Sequence, residues 1–442
     1  MNNPDNYRPI SILPALSKIF ERHIHTHLMA FLTSNDLICK TQSGFRSFHS
    51  CQTALTSLVD AWASDIDRNK LVGVLLIDLR KAFDLVNHEL LLKKLKLYRC
   101  STKCLSVLTS YLSERTQYTV FQGQTSASAK VTVGVPQGSI IGPLLFLLFI
   151  NDIHFLPKSD CHMFADDSTF YTSSSDICTI ESNFESDLNH IHNWCQSNQM
   201  SLHIGKTKTM LLTTRQKRAH LPRQTLNVNF ANTEIECVSS HKLLGVTIDH
   251  HLNWKEHCDE VCNKVRKKLF LLRKLKNILP RSARLQFFNS FILPHIDYCS
   301  NVWYSSHANQ LKSLNTLQKR AMRLILNVPY DTPSTVLFKS MNWMSIESRF
   351  HFNISLLVYK CLHNLTPSYL NFFSVNNNRT RAATRNDLNI PYAKKDILKN
   401  SFRVQGAKIY NSLPCAIRES CSFNAFKLAS FKHFMSKFFS LL

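Results

Sequence analysis

Glycine is scarce in this 442-residue chain, with 9 copies, and no low-complexity tract or fixed-period repeat accompanies it, which sets aside repeat and linker architectures. Long apolar runs are missing as well. The longest, "IIGPLLFLLFI" at 140–150, is too short to span a bilayer and carries an internal Gly-Pro, and no signal peptide is evident. The 14 cysteines include no CxxC pair, so they read as reduced thiols, mostly small buried hydrophobes, in an intracellular protein of the nucleus or cytoplasm. Acidic residues are few: 30 Asp and Glu face 53 Lys and Arg, a net charge of +23. Such an excess calls for a polyanionic partner, and without a membrane segment that partner is nucleic acid, with no membrane role. What is present is a hydrophobic fraction of 44% and an aromatic fraction of 10%, enough for two to four domains with real cores.

Periodicity divides the chain. Residues 1–70 read as mostly helical after "NYRPISILPAL", with a polar loop "KTQSGFRSFHS" between helices. The run "LVGVLLIDL" (71–79) is a buried central strand, and "NHELLLKKLKLY" (87–98) returns to helical spacing. A hairpin is expected over 116–135, then a glycine-containing loop, "PQGS", opening an apolar helix. Ile180, Phe184, Leu188, Ile191 and Cys195 mark one helix face; "SLHIGKTKTMLLTT" reads as a hairpin or strand pair, and "HKLLGVTID" (241–249) as one short strand. From about 255 the chain turns helical and basic, with 14 Lys and Arg against 2 acids between 261 and 345. Too few acids are present for helical ion pairing, which favours a surface that grips nucleic acid over a merely solvated face. Lys264, Arg266, Lys267 and Lys268 are its densest part. Residues 374–400 are polar and weakly patterned, a linker or exposed loop.

Two groups of metal-ligand type carry little weight. His257, Cys258 and Cys262 lack a second ligand pair at zinc-finger spacing. His23 and His27 lie one turn apart on a helix whose core face is expected to be Leu16, Ile19, Phe20, Ile24, Leu28 and Phe31, which turns both imidazoles to solvent.

The nonapeptide "MFADDSTFY" (163–171) sets Asp166 and Asp167 side by side between apolar flanks. Taken alone it is a hairpin turn with both carboxylates in water. Asp78, near the end of the buried strand, alters the balance, because sheet proteins present reactive groups at strand ends. Three carboxylates form a hard-oxygen site suited to Mg²⁺, and with a basic surface they suggest a nucleotidyl transferase.

In order along the chain, "LLIDLRKAFDLVNH", "GVPQGSIIGPLLFLLFINDI", "FADD", "SLHIGKTKTMLL" and "HKLLGVTID" resemble the palm motifs of reverse transcriptases, nearest to the jockey-like LINE-type (non-LTR) retrotransposon family. "NYRPISIL" and "QSGFR" resemble its fingers motifs, and "PHIDYCSNVWY" with "LQKRAMRLI" its thumb. The resemblance implies an α+β right-hand polymerase: fingers at 1–70, an antiparallel-sheet palm at 71–254, a basic helical thumb at 255–345 and a mainly helical extension at 346–442. It implies that Asp78, Asp166 and Asp167 bind two Mg²⁺ ions, with Mn²⁺ as a substitute, and that Lys206 protonates the leaving pyrophosphate, with Lys208 as its rival. Phe83 would be the steric gate against a ribose 2′-hydroxyl. Gln137 and Gly138 would line the incoming nucleotide, and Arg46 would face its triphosphate. RNA template, DNA primer and deoxynucleoside triphosphates are the implied partners.

The sequence departs from the family where "YLG" becomes Leu243-Leu244-Gly245 and "LN" becomes Leu202-His203, and it begins inside the fingers region with no upstream endonuclease, as a fragment of a longer product would. An RNA-dependent RNA polymerase would show Gly before the Asp pair, where Ala165 stands. It would also show a second Asp, which Asp84 could mimic, but Phe83 beside it argues otherwise. A non-catalytic relic of a transposable element is the other rival. The retained carboxylates and "PQG" argue against it.

Overall fold

A computed structural model describes residues 10–155, 157–304, 308–376 and 386–440. The chain divides into two compact units: residues 1–47, 73–209 and 225–237 form the first, and 48–72, 210–224 and 238–442 the second.

The first unit begins with α1 (Ala15–Ser34). After α2 (Cys51–Asp67), which belongs to the second unit, comes β1 (Leu71–Ile77), buried along its whole length as its unbroken apolar run requires. Helices α3 (His88–Leu97) and α4 (Thr102–Leu112) follow, each opened by a side-chain cap, Asn87 and Ser101 respectively. The expected hairpin is two nested ribbons: β2 (Thr116–Gln117) pairs with β5 (Ala129–Lys130), and β3 (Val120–Phe121) with β4 (Gln124–Thr125). Helix α5 (Gly142–Ile150) is apolar on every side and sits in the core. Then come β6 (Asp160–Phe164), β7 (Asp167–Ser174) and α6 (Ile177–Ser197), whose expected face of Ile180, Phe184, Leu188, Ile191 and Cys195 is buried.

Strand β8 (Lys208–Leu212) completes a four-stranded sheet in the order β6-β7-β1-β8, with β6 and β7 antiparallel. The stretch expected to form a strand pair here supplies only β8. Residues 203–207 form a turn instead, with the amides of Lys206 and Thr207 both bonded to the His203 carbonyl at 3.0 Å.

In the second unit, α2 carries a capping box between Ser50 and Thr53. It is followed by the short α7 (Arg215–Ala219); β9 (Val228–Phe230) and β10 (Thr233–Ile235) pair within the first unit. The single strand expected at 241–249 is a hairpin, β11 (Ser240–Leu243) with β12 (Val246–Asp249). Leu244 and Gly245, with φ of 45° and 83°, make the two-residue loop that turns one apolar run into two strands. The helical part comprises α8 (Lys255–Leu275), α9 (Arg281–Phe287), α10 (Leu293–Asp297), α11 (Ser300–Trp303), α12 (Ala308–Leu326), α13 (Ser334–Met341) and α14 (Ile346–Leu362), then α15 (Asp396–Lys399), α16 (Phe402–Asn411), α17 (Cys415–Arg418) and α18 (Phe423–Ser440).

The polar stretch read as a linker is fastened down where it is described. Ser374–Asn376 and Asp387–Asn389 pair as a short antiparallel ladder, while the amides of Lys394 and Lys395 donate to Asp67 of α2 at 2.9 and 2.6 Å. The remainder, 377–385, lies outside the described residues. The expected core face of α1 is corrected too. Leu16, Ile19 and Phe20 are exposed, whereas Leu28, Leu32 and the carboxylate of Glu21 are buried. The reason is a polar contact: Glu21 turns inward to accept the amides of Ile140 and Ile141 at 2.6 and 3.3 Å, and the helix rotates with it. His23 and His27 are exposed, as expected, and touch edge to face. Among the described residues no helix is long and apolar enough to cross a membrane.

Candidate active site

The Asp-Asp pair sits on a tight hairpin. Phe164 and Asp167 are the last paired residues of β6 and β7, leaving Ala165 and Asp166 as a two-residue loop. Ala165 adopts a left-handed φ of 56°, a conformation a non-glycine residue holds only when its surroundings impose it. Those surroundings are residues 41–44. The Ser43 amide donates to Met163 O at 2.8 Å and the Met163 amide to Thr41 O at 3.1 Å. Buried Gln42 then accepts two amides with one oxygen, Gly44 at 2.8 Å and Ala165 at 3.0 Å. A Cβ on Gly44 would lie 2.4 Å from the Ala165 nitrogen, so only glycine lets the splint approach the loop. In this way "QSG" props the hairpin from behind, leaving Asp166 half-buried and Asp167 exposed.

Asp78 follows β1, which is the sheet neighbour of β7. Its carbonyl accepts the His203 amide at 2.9 Å, and Arg80 N bonds Ser201 O at 2.8 Å, so the turn bearing Lys206 is lashed to the end of β1. Lys206 Nζ stands 3.6 Å from Asp78 Oδ2, with both side chains partly exposed. Lys208, the rival, is committed elsewhere: its ammonium bonds Glu236 at 2.6 Å and Gly205 O at 2.9 Å. The structure thus brings Asp78 and Lys206 together. Among the described residues no group of three or more His, Cys, Asp or Glu side chains is gathered so as to hold an ion.

Phe83 is stacked on Phe146 with centroids 4.1 Å apart, and it meets the exposed ring of Phe45 in a T-shaped contact. Gln137 is oriented by Asp84, which accepts from its Nε2 at 2.9 Å, and its carbonyl receives the Ser11 amide at 2.7 Å. Gly138, at φ 118°, passes so near Ser11 O that a Cβ would meet it at 2.7 Å. The backbone segments of Phe83 and Val135 are also joined, through Val135 N to Phe83 O at 2.9 Å. Arg46 donates from Nη1 to the carbonyls of Cys39 and Gln42 at 2.7 and 3.0 Å, which locks the loop that carries the splint.

Three roles went unnoticed in the sequence: that of Gln42 behind the hairpin, that of Asp84 beneath Gln137, and that of Glu21, whose carboxylate holds the amides that open α5. Each belongs to an ordinary polar residue whose partner lies far away in sequence.

In the second unit, α8 presents Arg266 and Lys267 outward, while Lys264 and Lys268 are half-buried beside its core stripe of Val261, Val265, Leu269 and Leu272. His257 accepts the Thr247 amide at 3.2 Å within that core, and burial pulls its pKa down to about 4. Cys258 and Cys262 are buried on the same face.

The family model described as "Reverse transcriptase (RNA-dependent DNA polymerase)" matches residues 1–248, more than half of the chain and every residue of this site. The chain belongs to the reverse transcriptase family. Its mixed helix-and-sheet architecture with an antiparallel hairpin at Asp166 and Asp167 is the α+β polymerase fold anticipated above. Reverse transcriptases generally use divalent metal ions. The chain is 26% identical over 367 residues to a probable RNA-directed DNA polymerase from transposon X-element of Drosophila melanogaster, covering 79% of this chain and 39% of that protein. It is 27% identical over 337 residues to the RNA-directed DNA polymerase from mobile element jockey of Drosophila melanogaster, covering 74% of this chain and 36% of that protein. It therefore spans under two fifths of the length of the jockey relative and about that share of the X-element one. Among solved structures it is similar to apo telomerase from Candida Tropicalis, with 14% identity and a TM-score of 0.40, covering 75% of this chain and 55% of that one.

Proposed function

We propose that this reverse transcriptase is the RNA-directed DNA polymerase portion of a non-LTR retrotransposon product, extending a primer 3′-hydroxyl with deoxynucleotides on an RNA template. The observation that carries the reading is the splinted hairpin: a strained two-residue loop, fixed by Gln42, holds Asp166 and Asp167 on the strand beside the one that leads to Asp78. Carboxylate oxygens are the donor set for a hard divalent ion, so the chemistry of these residues fits Mg²⁺, with Mn²⁺ as a substitute. Asp78, Asp166 and Asp167 would hold two such ions, which would supply charge neutralisation for phosphoryl transfer.

The chain's own side chains do the rest. Lys206, held at the end of β1, donates a proton to the departing pyrophosphate, a role for which Lys208 is engaged elsewhere. Phe83, anchored on Phe146, presents the part of its ring that the core leaves uncovered to the sugar and crowds a 2′-hydroxyl. Gln137 and Gly138 line the nucleotide, and Arg46 braces the loop near its triphosphate. Arg266 and Lys267, with Lys264 and Lys268, contact template–primer phosphates from α8. In this reading residues 1–70 are fingers, 71–254 palm, 255–345 thumb and 346–442 a C-terminal extension.

Primer extension on poly-rA/oligo-dT with Mg²⁺, supplied with dTTP or UTP, tests the proposal. Extension with dTTP, little with UTP, and loss of both in Asp166→Asn is the expected result. Near wild-type extension by Asp166→Asn would overturn the site assignment.

A further inference from the structure

A cavity of about 520 Å³ opens within the second unit, between α2, the start of α7, the loop after β12, α11 and the stretch from Lys394 to Phe402. Its lining divides by chemistry. On the rim stand Arg215 and Lys394, both exposed, and neither has an ion-pair partner among the described residues. Lys395 lies beside them, its ammonium bonded to Asn69 Oδ1 at 2.6 Å; burial and the charges of Lys217 and Lys394 push its pKa down. One rim acid, Asp396, is drawn toward Lys399 at 3.1 Å. The walls are apolar, from Val59, Leu252, Trp254, Val302 and Phe402. On the floor, the buried Asp60 accepts the Arg403 amide at 3.0 Å through Oδ2, with Ser401 beside it.

We infer that this cavity binds a nucleoside phosphate, as one unit of a single strand: the phosphate on Arg215 and Lys394, and the base between the apolar walls. The cationic rim and the apolar walls match the phosphate and the base of such a ligand, and the volume lies in the range of small-ligand sites. Crowded cations with few acids to pair them cost repulsion that an anion relieves. The assignment is independent of the polymerase reading, since none of these residues belongs to the candidate active site.

The test uses the full chain with a labelled single-stranded RNA decamer bearing one 4-thiouridine, irradiated and mapped by peptide mass spectrometry. Cross-links to the peptides holding Trp254 or Phe402 are expected. Arg215→Gln with Lys394→Gln should lower their yield at least fivefold, while Arg215→Lys alone retains most of it. Primer extension on a short pre-annealed duplex should be unchanged in both variants. Competition with unlabelled decamer and with uridine monophosphate at equal nucleotide concentration separates the sources. Competition by the decamer alone supports a strand, and equal competition by both supports the same chemistry with a free nucleotide as its source. Absence of cross-links in those peptides, or a yield that the double variant leaves untouched, overturns the inference.

Discussion

Gln42 illustrates what a single side chain does for this site. Its one oxygen satisfies two amides in a buried place, and each amide left unpaired costs about 1–3 kcal/mol. Gln42→Ala should therefore release the Ala165 loop and lower kcat of primer extension at least tenfold, with KM for dTTP changed far less; steady-state kinetics decides. A kcat equal to wild type would mean that the hairpin holds its own shape. At the sugar, Phe83→Val should raise UTP incorporation relative to dTTP in single-nucleotide kinetics, because a smaller side chain leaves room for the 2′-hydroxyl. Unchanged discrimination would assign Phe83 wholly to the core contact with Phe146. The aspartates were legible from sequence because adjacency, flanks and motif order all pointed at them. Gln42 was not, since its role depends on residues 41–44 lying along β6, a pairing across more than a hundred residues that no local pattern announces.

Among the elements, α8 shows how far a charge count carries. Four basic residues within five positions could not all face one core, and the helix turns Arg266 and Lys267 fully outward while its partly covered flanks take Lys264 and Lys268. Each phosphate contact releases condensed counterions, so Arg266→Gln with Lys267→Gln should flatten log K against log salt by about 0.7–0.9 per contact, whatever the sequence bound. Titration of an RNA/DNA hybrid at several salt concentrations measures it, and an unchanged slope would make this a solvated face. Helix periodicity read α6 correctly because its apolar stripe meets apolar neighbours. It misread the first half of α1, where Leu16, Ile19 and Phe20 point outward while Glu21 points in, since a hydrogen-bonded carboxylate outweighs the stripe there. The hairpin at 240–249 was hidden for another reason: Leu244 fills a left-handed position with no turn signal of its own.

For the molecule as a whole, stability depends on pH partly through Asp60. Burial raises its carboxyl from 3.8 to about 6, against the opposing charge of Arg403. The folded state then holds a proton that the unfolded chain has released, so stability declines as pH rises from about 4 to 6 and is level above that. A shift of this size corresponds to about 3 kcal/mol at most. Urea unfolding at pH 4.5, 5.5 and 7 should show the wild type losing more stability across the window than Asp60→Asn, which keeps an oxygen for the Arg403 amide but cannot ionise. Parallel losses in both proteins would show that other groups set the trend.

The fastening of α2 to the far end of the chain bears on how the protein is made. Asp67 receives the Lys395 amide 328 residues later, and Asp60 receives that of Arg403 across 343. A ribosome adding roughly 5–20 residues per second needs about 16–66 s to deliver Lys395 after Asp67 has emerged. Throughout that interval Ala63 of α2 lacks Leu398 and Val404, the apolar residues it packs against. The nascent chain thus leaves part of α2 uncovered for most of its synthesis. A messenger cut short before codon 394 would leave that patch bare for good, giving a product with its Asp166–Asp167 hairpin encoded in full and its solubility at the mercy of chaperones.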